Sequence, residues 1–382
     1  MGYLLSIVVP TKDRYPYLKH LIELITSFRS DEIELVIQDN TADNTEILSF
    51  LENIESPHLK YYHTKEQLSV SDNSTKGILN SNGEYVCFIG DDDGVTRYVV
   101  DAVKLMKSKG YHILKSAPAV LKWPSFHSPK HYDVSGTVQF NEFKFTYCEK
   151  DCEKSLETLL KTGIDTLGIM PKVYNGIVIR STLDKIYERC GTFFPGPSPD
   201  MANAVALAVV EDVFVYVDFP IIIGGHSGHL GGDAAKYKKG LGPLEDQPFI
   251  TQEDKNNWSP RIPKLWAAKT VWPESARTAL VAFNRTDYLQ MLDYEMVLRK
   301  FLVDHWEYAS VAIPLSQHKF KLIISSLYHF VIKHIFLCVT YWKYKKQDVF
   351  WGLKVHRGFN DIKEAEQYLT RDITEFSVEK AS

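Results

Sequence analysis

Asp91, Asp92 and Asp93 stand side by side in "CFIGDDDGVT", directly after a run of apolar residues. Adjacent carboxylates repel unless a cation or hydrogen-bond donors offset their charge. Hard divalent ions such as Mg²⁺ and Mn²⁺ take oxygen ligands and often hold only one or two protein carboxylates. Phosphate oxygens and water complete their shell. The spacing Asp91-x-Asp93 lets two side chains leave one turn toward a common ligand, one at a metal and one at a sugar hydroxyl. Taken alone, the triplet also fits a solvated turn at Asp93-Gly94 or a cap near Thr96.

The elements that must position these carboxylates are legible upstream. "LLSIVV" (4–9) is a continuous apolar run before Pro10, as expected of a strand buried on both faces. Apolar residues at helical spacing follow over 17–28, then a strand at 33–38, a helix at 44–53 capped by Asp43 or Asn44, and a short strand at 59–63. A helix near 70–81, the strand "EYVCFIG" (84–90), a helix at 96–109 and a strand at 111–116 complete the series. This β-α alternation predicts an α/β fold, with a mostly parallel sheet between helices. Ligands bind beyond the carboxyl ends of such strands. Two acidic features fall there: "QDNTADNT" (38–45) and the triple Asp.

Residues 117–150 give no clear pattern, 172–191 read as strand then helix, and 193–210 as a Pro-rich loop breaking into a helix. One or two strands are expected over 212–225, and a Gly-rich loop, able to close, over 224–243. Helical stretches dominate after residue 250, notably 274–306 and 315–346. The expected domains are 1–250, divided into a binding half 1–116 and a second half 117–250, and a helical region 251–382.

The 382 residues, 45% hydrophobic, suffice for a sizeable core, and the net charge of -4 gives no bulk attraction to nucleic acid. Five scattered cysteines do not suggest a disulfide framework, and fit a reducing, cytoplasmic setting. Cys148 and Cys152 have metal-ligand spacing but no companion pair, so structural zinc is not expected. The first residues read as a strand rather than a signal peptide.

"SIVVPTKDR", "VIQDNTADNT" and "NSTKGILNSNGEYVCFIGDDD", in this order at short spacing, together resemble the nucleotide-sugar-binding half of family 2 glycosyltransferases of the bacterial surface-polysaccharide type, which have the GT-A fold. The resemblance covers 5–110 and continues more weakly to about 230. It implies that Pro10, Thr11 and the nearby Asp13 meet the nucleotide. Asp39 would hydrogen-bond the base, Asp91 would face ribose or sugar, and Asp93 would hold Mn²⁺ or Mg²⁺ beneath the diphosphate, with Asp92 assisting either neighbour. Asn73 matches the Asn of the third helix, but Asp72 precedes it where the family often has Arg. The cation near the diphosphate is then sought elsewhere, at Lys65 or Lys76.

Inverting transfer from a nucleotide sugar, a UDP-sugar by this resemblance, needs a base to take the proton of the attacking acceptor hydroxyl. Asp200 in "GPSPDMANA" is the leading candidate, and it also suits a helix cap. Glu211 and Asp212 are the alternatives. His226 in "GGHSGHLGG", more than His229, is a candidate further ligand of the metal or diphosphate. "KFKLIISSLYHFVIKHIFLCVTYWKYKK" (319–346) fits either a helix on an anionic membrane surface or a core helix with a basic end. The former would suit a glycan or polyprenyl-linked glycan acceptor at the inner face of the plasma membrane. Nucleotidyl transfer and a non-catalytic assembly subunit are the competing functions. No phosphate-binding Gly-rich loop follows the first strand, which disfavours nucleotidyl transfer, and the retained Asp residues disfavour the subunit.

Overall fold

A computed structural model describes residues 2–127, 133–164, 166–168, 170–228, 242–247 and 250–371. The chain begins with β1 (Leu5–Thr11), α1 (Tyr15–Ser27), β2 (Ile33–Asp39), α2 (Thr45–Leu51), β3 (Leu59–His63), α3 (Val70–Leu79) and β4 (Tyr85–Phe88). β1 pairs parallel with both β2 and β4, and β2 pairs parallel with β3. The expected alternation is therefore what the chain folds into. β2 and β4 are buried along their whole length, as strands between two helical layers should be, and the buried Glu34 of β2 is paired with Lys60 and Ser6. Local chemistry sets the helix ends: the Ser69 hydroxyl accepts the Asp72 amide at the start of α3, and at the start of α2 Asn44 holds the cap position while the Asp43 carboxylate accepts the Thr45 amide.

β5 (Gly94–Val95) and α4 (Val99–Lys109) follow the acidic turn, and α4 stops at Gly110 with φ 71°. Then come β6 (Ile113–Ser116), β7 (Ala119–Lys122), β8 (Thr137–Phe140), β9 (Tyr147–Asp151), α5 (Cys152–Lys161), β10 (Gly176–Ile179), α6 (Arg180–Cys190), α7 (Pro199–Val210), β11 (Val213–Val217) and β12 (Ile222–His226). The first sheet runs β3-β2-β1-β4-β10-β6-β11-β9. β10 enters antiparallel between β4 and β6, which sequence order would place as neighbours. The sheet is consequently mixed.

After the ribbon of β13 (Gly242–Pro243) and β14 (Leu265–Trp266), which flanks α8 (Gln252–Asn257), come α9 (Ala268–Ala282), α10 (Thr286–Met291) and α11 (Tyr294–Asp304). The helical stretch expected over 274–306 is thus broken, with Asn284 at φ 55° in the break after α9. α12 (Ala309–Ala312) leads to the long α13 (Lys319–Gln347), then β15 (Val349–Phe350), β16 (Leu353–Arg357) and α14 (Ile362–Thr370). β15 and β16 join the second sheet, β15-β16-β8-β7-β12-β5, so the last third of the chain is not helical throughout.

α14 buries Ile362, Ala365 and Leu369 in the core shared with β1 and α1. Its Glu366 accepts two hydrogen bonds from the Arg97 guanidinium at 3.0 Å each. The C-terminal helix thereby backs the strand that leaves the acidic turn. All five cysteines are free thiols.

Candidate active site

Thr11 and Asp39 end two parallel strands in register, and β4 ends beside them at Phe88. The sheet topology therefore delivers Asp39 and the acidic turn to one edge. Asp91, Asp92 and Asp93 are all buried, at 5%, 7% and 1% exposure, so the solvated-turn alternative fails. Asp91 accepts the Thr11 hydroxyl at 2.7 Å and Arg14 Nε at 2.6 Å. A single oxygen of Asp92 accepts Arg14 Nη2 at 2.6 Å, the Ser227 hydroxyl at 2.7 Å and the Ser227 amide at 3.2 Å. Asp93 accepts the Gly225 amide at 2.6 Å and the Gly90 amide at 2.7 Å, and Tyr174 hydrogen-bonds it as well.

Burial raises the Asp91 carboxyl to about 7 against the opposing pull of Arg14. Burial, then repulsion from Asp92, raises Asp93 to about 6. Among the described residues, both ion pairs at the turn are made by Arg14. One guanidinium thus pairs with two of the three carboxyl groups. A hard divalent cation fits this oxygen donor set and its unbalanced charge. No cluster of three or more His, Cys, Asp or Glu side chains in metal-holding geometry occurs among the described residues.

The close approach of β12 explains one glycine. A Cβ on Gly225 would lie 1.7 Å from the Asp92 carbonyl oxygen, so only glycine lets its amide reach Asp93. Trp123 Nε1 donates to that same carbonyl at 2.9 Å. Asp92 is therefore gripped through both main chain and side chain.

Asp39 is fully buried. One oxygen accepts the hydroxyls of Tyr15 and Tyr61, each at 2.7 Å, and the other accepts the Thr41 amide at 2.8 Å. A carboxylate offers about four acceptor sites, which leaves one on Asp39 for a ligand N–H. Asn73 sends Nδ2 to the carbonyls of Thr11 and Gln38 at 3.4 Å each, while its buried Oδ1 has no partner. Asp13 is exposed with φ 57°, and its amide donates to the Thr41 hydroxyl at 2.8 Å. Pro10 is partly buried and Thr11 faces Asp91.

Asp200 lies in the first turn of α7, after Ser198 at the cap and Pro199 at the first helical position. It does not occupy the cap. Burial raises its pKa, and Lys172 counters this. Lys172 interacts electrostatically with both Asp200 and Asp93, and Tyr174 with Asp92, Asp93 and Asp200. These two residues join the acidic turn to α7. Glu211 lies at the far end of α7, about 16 Å away along the axis. There it is held by Thr182 at 2.5 Å and His112 at 2.7 Å. The structure places it at the opposite end of α7 from Asp200.

His226 stands edge-on to Phe126 at 6.2 Å, and the packing around its ring, with Lys122 beside it, lowers its pKa to about 4. The neighbours Gly225 and Ser227, not His226, supply the donors to Asp93 and Asp92. His229 and most of the expected closing loop fall outside the described residues. Lys65 and Lys76 are exposed, and the cation that pairs with the acidic turn is Arg14. Sequence reasoning missed Arg14, Lys172, Tyr174 and Ser227. Only Arg14 carried a signal, as a charged residue directly beyond the first strand in "TKDR".

Residues 6–172 match the sequence model of the family described as "Glycosyl transferase family 2". Over these residues the chain is similar to family 2 glycosyltransferases. The chain has a mixed α/β fold with helices in its C-terminal region. The match takes in Asp39, the acidic turn and Lys172, and ends before Asp200 and His226. The chain is also 26% identical over 111 residues to the GalNAc(5)-diNAcBac-PP-undecaprenol beta-1,3-glucosyltransferase of Campylobacter jejuni. That alignment spans 28% of this chain and 35% of the relative, about a third of its length. Among solved structures, S. aureus TarS 1–349 in complex with UDP-GlcNAc aligns with a TM-score of 0.46 and 15% identity, over 93% of this chain and 97% of that one. The mannosyltransferase PcManGT from Pyrobaculum calidifontis, in complex with GDP-Man and Mn²⁺, aligns with a TM-score of 0.37 over 87% and 88% of the two chains.

Proposed function

We propose that this glycosyltransferase moves a sugar from a UDP-sugar, with Mn²⁺ or Mg²⁺, to a hydroxyl of a polyprenyl-linked glycan in bacterial surface-polysaccharide synthesis, with inversion at the transferred carbon. The observation that carries the donor reading is the acidic turn, where three carboxyl groups are buried at a strand end and one guanidinium pairs with two of them. The acceptor reading takes its support from the Campylobacter relative, whose name specifies an undecaprenol diphosphate-linked glycan.

Asp93 would hold the metal, and Asp91 and Asp92 the ribose and sugar side of the donor. Thr11, Arg14 and Ser227 fix the orientation of Asp91 and Asp92. A divalent cation bound there would neutralise charge on the departing diphosphate. Asp39 would accept an N–H of the base through its remaining acceptor site, with Pro10, Thr11, Asp13 and Asn73 around the nucleotide. Asp200 would take the proton of the acceptor hydroxyl as that oxygen attacks the sugar carbon and the bond to the diphosphate breaks. Its raised pKa brings a carboxylate closer to the working range of a general base. Lys172, beside both Asp200 and Asp93, offsets charge on each. His226 stays a candidate ligand at the diphosphate, since its low pKa keeps the ring neutral.

Calorimetric titration of UDP and GDP, with and without Mn²⁺, tests the donor site. Metal-dependent UDP binding that disappears in Asp93→Ala is the expected result. Preference for GDP overturns the UDP assignment. Failure of both nucleotides with metal, in folded protein, overturns the donor site itself.

A further inference from the structure

α13 turns its polar side to the protein and its apolar side to solvent. The residues it buries are Leu322, Ser326, Thr340 and Tyr344. Toward the same side, Lys333 pairs with Asp304 of α11 at 2.5 Å, and the Tyr344 hydroxyl donates to the Asp133 carbonyl at 2.7 Å. Phe320, Ile324, Val331, Ile335 and Trp342 line the other side, at 78%, 53%, 57%, 59% and 54% exposure. From Phe320 to Trp342 this stripe runs about 33 Å at the helical rise. Surface helices of globular proteins show the reverse arrangement. Contiguous exposed apolar patches mark interaction sites, whereas single exposed residues do not. The core-helix alternative for 319–346 is therefore excluded: only 11% of its most apolar window is buried.

We propose that α13 docks the enzyme on a bilayer bearing anionic headgroups, with the helix lying along the surface. Charge selects the occupant. Lys319 and Lys321 stand at one end, Lys343, Lys345 and Lys346 at the other, and the helix contains no Asp or Glu. A second copy on this face, parallel or antiparallel, would set lysines against lysines. Anionic headgroups complement them. Geometry selects the orientation. By length and composition the helix could cross a membrane, its most apolar 18-residue window having a mean hydropathy of 1.8. Its inner flank, however, is sealed against α11, which carries Glu295, Arg299, Lys300 and Asp304. Crossing would take these charges into hydrocarbon. Lying flat keeps them with the protein and places Trp342 at headgroup depth, where tryptophan is favoured.

The docking helix is tied to the active site. Tyr344 packs in one apolar cluster with Val134 and Phe126, and Phe126 meets His226 between the two residues that hold Asp93 and Asp92. The docking itself does not depend on the acceptor reading.

The test is flotation of the full chain with phosphatidylcholine vesicles, with and without phosphatidylglycerol. Cys338 is exposed on α13 and serves as a fluorophore site in a Cys148→Ser background. The proposal predicts flotation with the anionic vesicles, a blue shift of the label, and on the order of a hundredfold weaker binding for Lys343→Glu/Lys345→Glu/Lys346→Glu. Val331→Ser/Ile335→Ser changes only exposed residues and is expected to abolish binding while the thermal unfolding profile is kept. A label quenched at the bilayer midplane would overturn the flat orientation. Absence of vesicle binding, whether the chain is monomeric or forms a dimer that Val331→Ser/Ile335→Ser dissolves, would overturn the docking proposal.

Discussion

Arg14 Nε donates to Asp91 Oδ1 at 2.6 Å, and both side chains are buried, so a cation from the end of β1 neutralises part of the turn that follows β4. Removing one member of a buried ion pair leaves an unpaired charge, which costs about 3–5 kcal/mol. Arg14→Ala should therefore lower stability by about 3 kcal/mol or more at pH 7.5, measured by urea unfolding. Added Mn²⁺ should restore more stability to this variant than it adds to the parent, because more carboxylate charge is left unmatched.

The acidic turn sets a pH dependence of its own. Asp93 titrates near 6 in the folded chain, above its ordinary value of 3.8. The folded state therefore holds its proton where the unfolded state has lost it. The resulting stabilisation is full below pH 3.8 and is lost as pH rises through about 6. In metal-free protein, the stability of Asp93→Asn relative to the parent should rise over that window and level off above it. A thermal melting series at several pH values measures the difference.

Asp200 and Glu211 bracket α7, and substitution distinguishes the proposed base from a supporting carboxylate. Asp200→Asn should reduce kcat on the order of 10²–10⁴-fold, the usual worth of a general base, with little change in nucleotide affinity. Glu211→Gln weakens the contacts to Thr182 and His112 and should lower the melting temperature while leaving kcat near that of the parent. A loss of turnover in Glu211→Gln equal to that of Asp200→Asn would reverse the assignment.

Gly225→Ala tests the approach of β12 to the turn. The added methyl would collide with the Asp92 carbonyl, and main chain must move to relieve it. The expected cost is about 1–3 kcal/mol, as for other overpacked sites, together with weaker metal-dependent nucleotide binding. Calorimetry alongside denaturant melts separates the two effects.

The sequence by itself determined the first half of the sheet. The strands at β1, β2 and β4 are largely apolar segments, their helices repeat apolar residues at helical spacing, and Ser, Asn and Gly mark the ends. Such signals are local, because each depends on neighbours a few residues away. From them it follows that Asp39 and the triple Asp emerge at one sheet edge. Tertiary structure alone decided the rest. Arg14 meets Asp91 across 77 residues, and Ser227 meets Asp92 across 135. β10 enters between β4 and β6, carrying Tyr174 and Lys172 just ahead of it to the site. Residues 319–346 read as a helix from their composition, but which face meets the protein was settled by the pairing of Lys333 with Asp304 and the seating of Tyr344. Such contacts join residues far apart in the chain, and no local pattern encodes a partner that only the fold brings near.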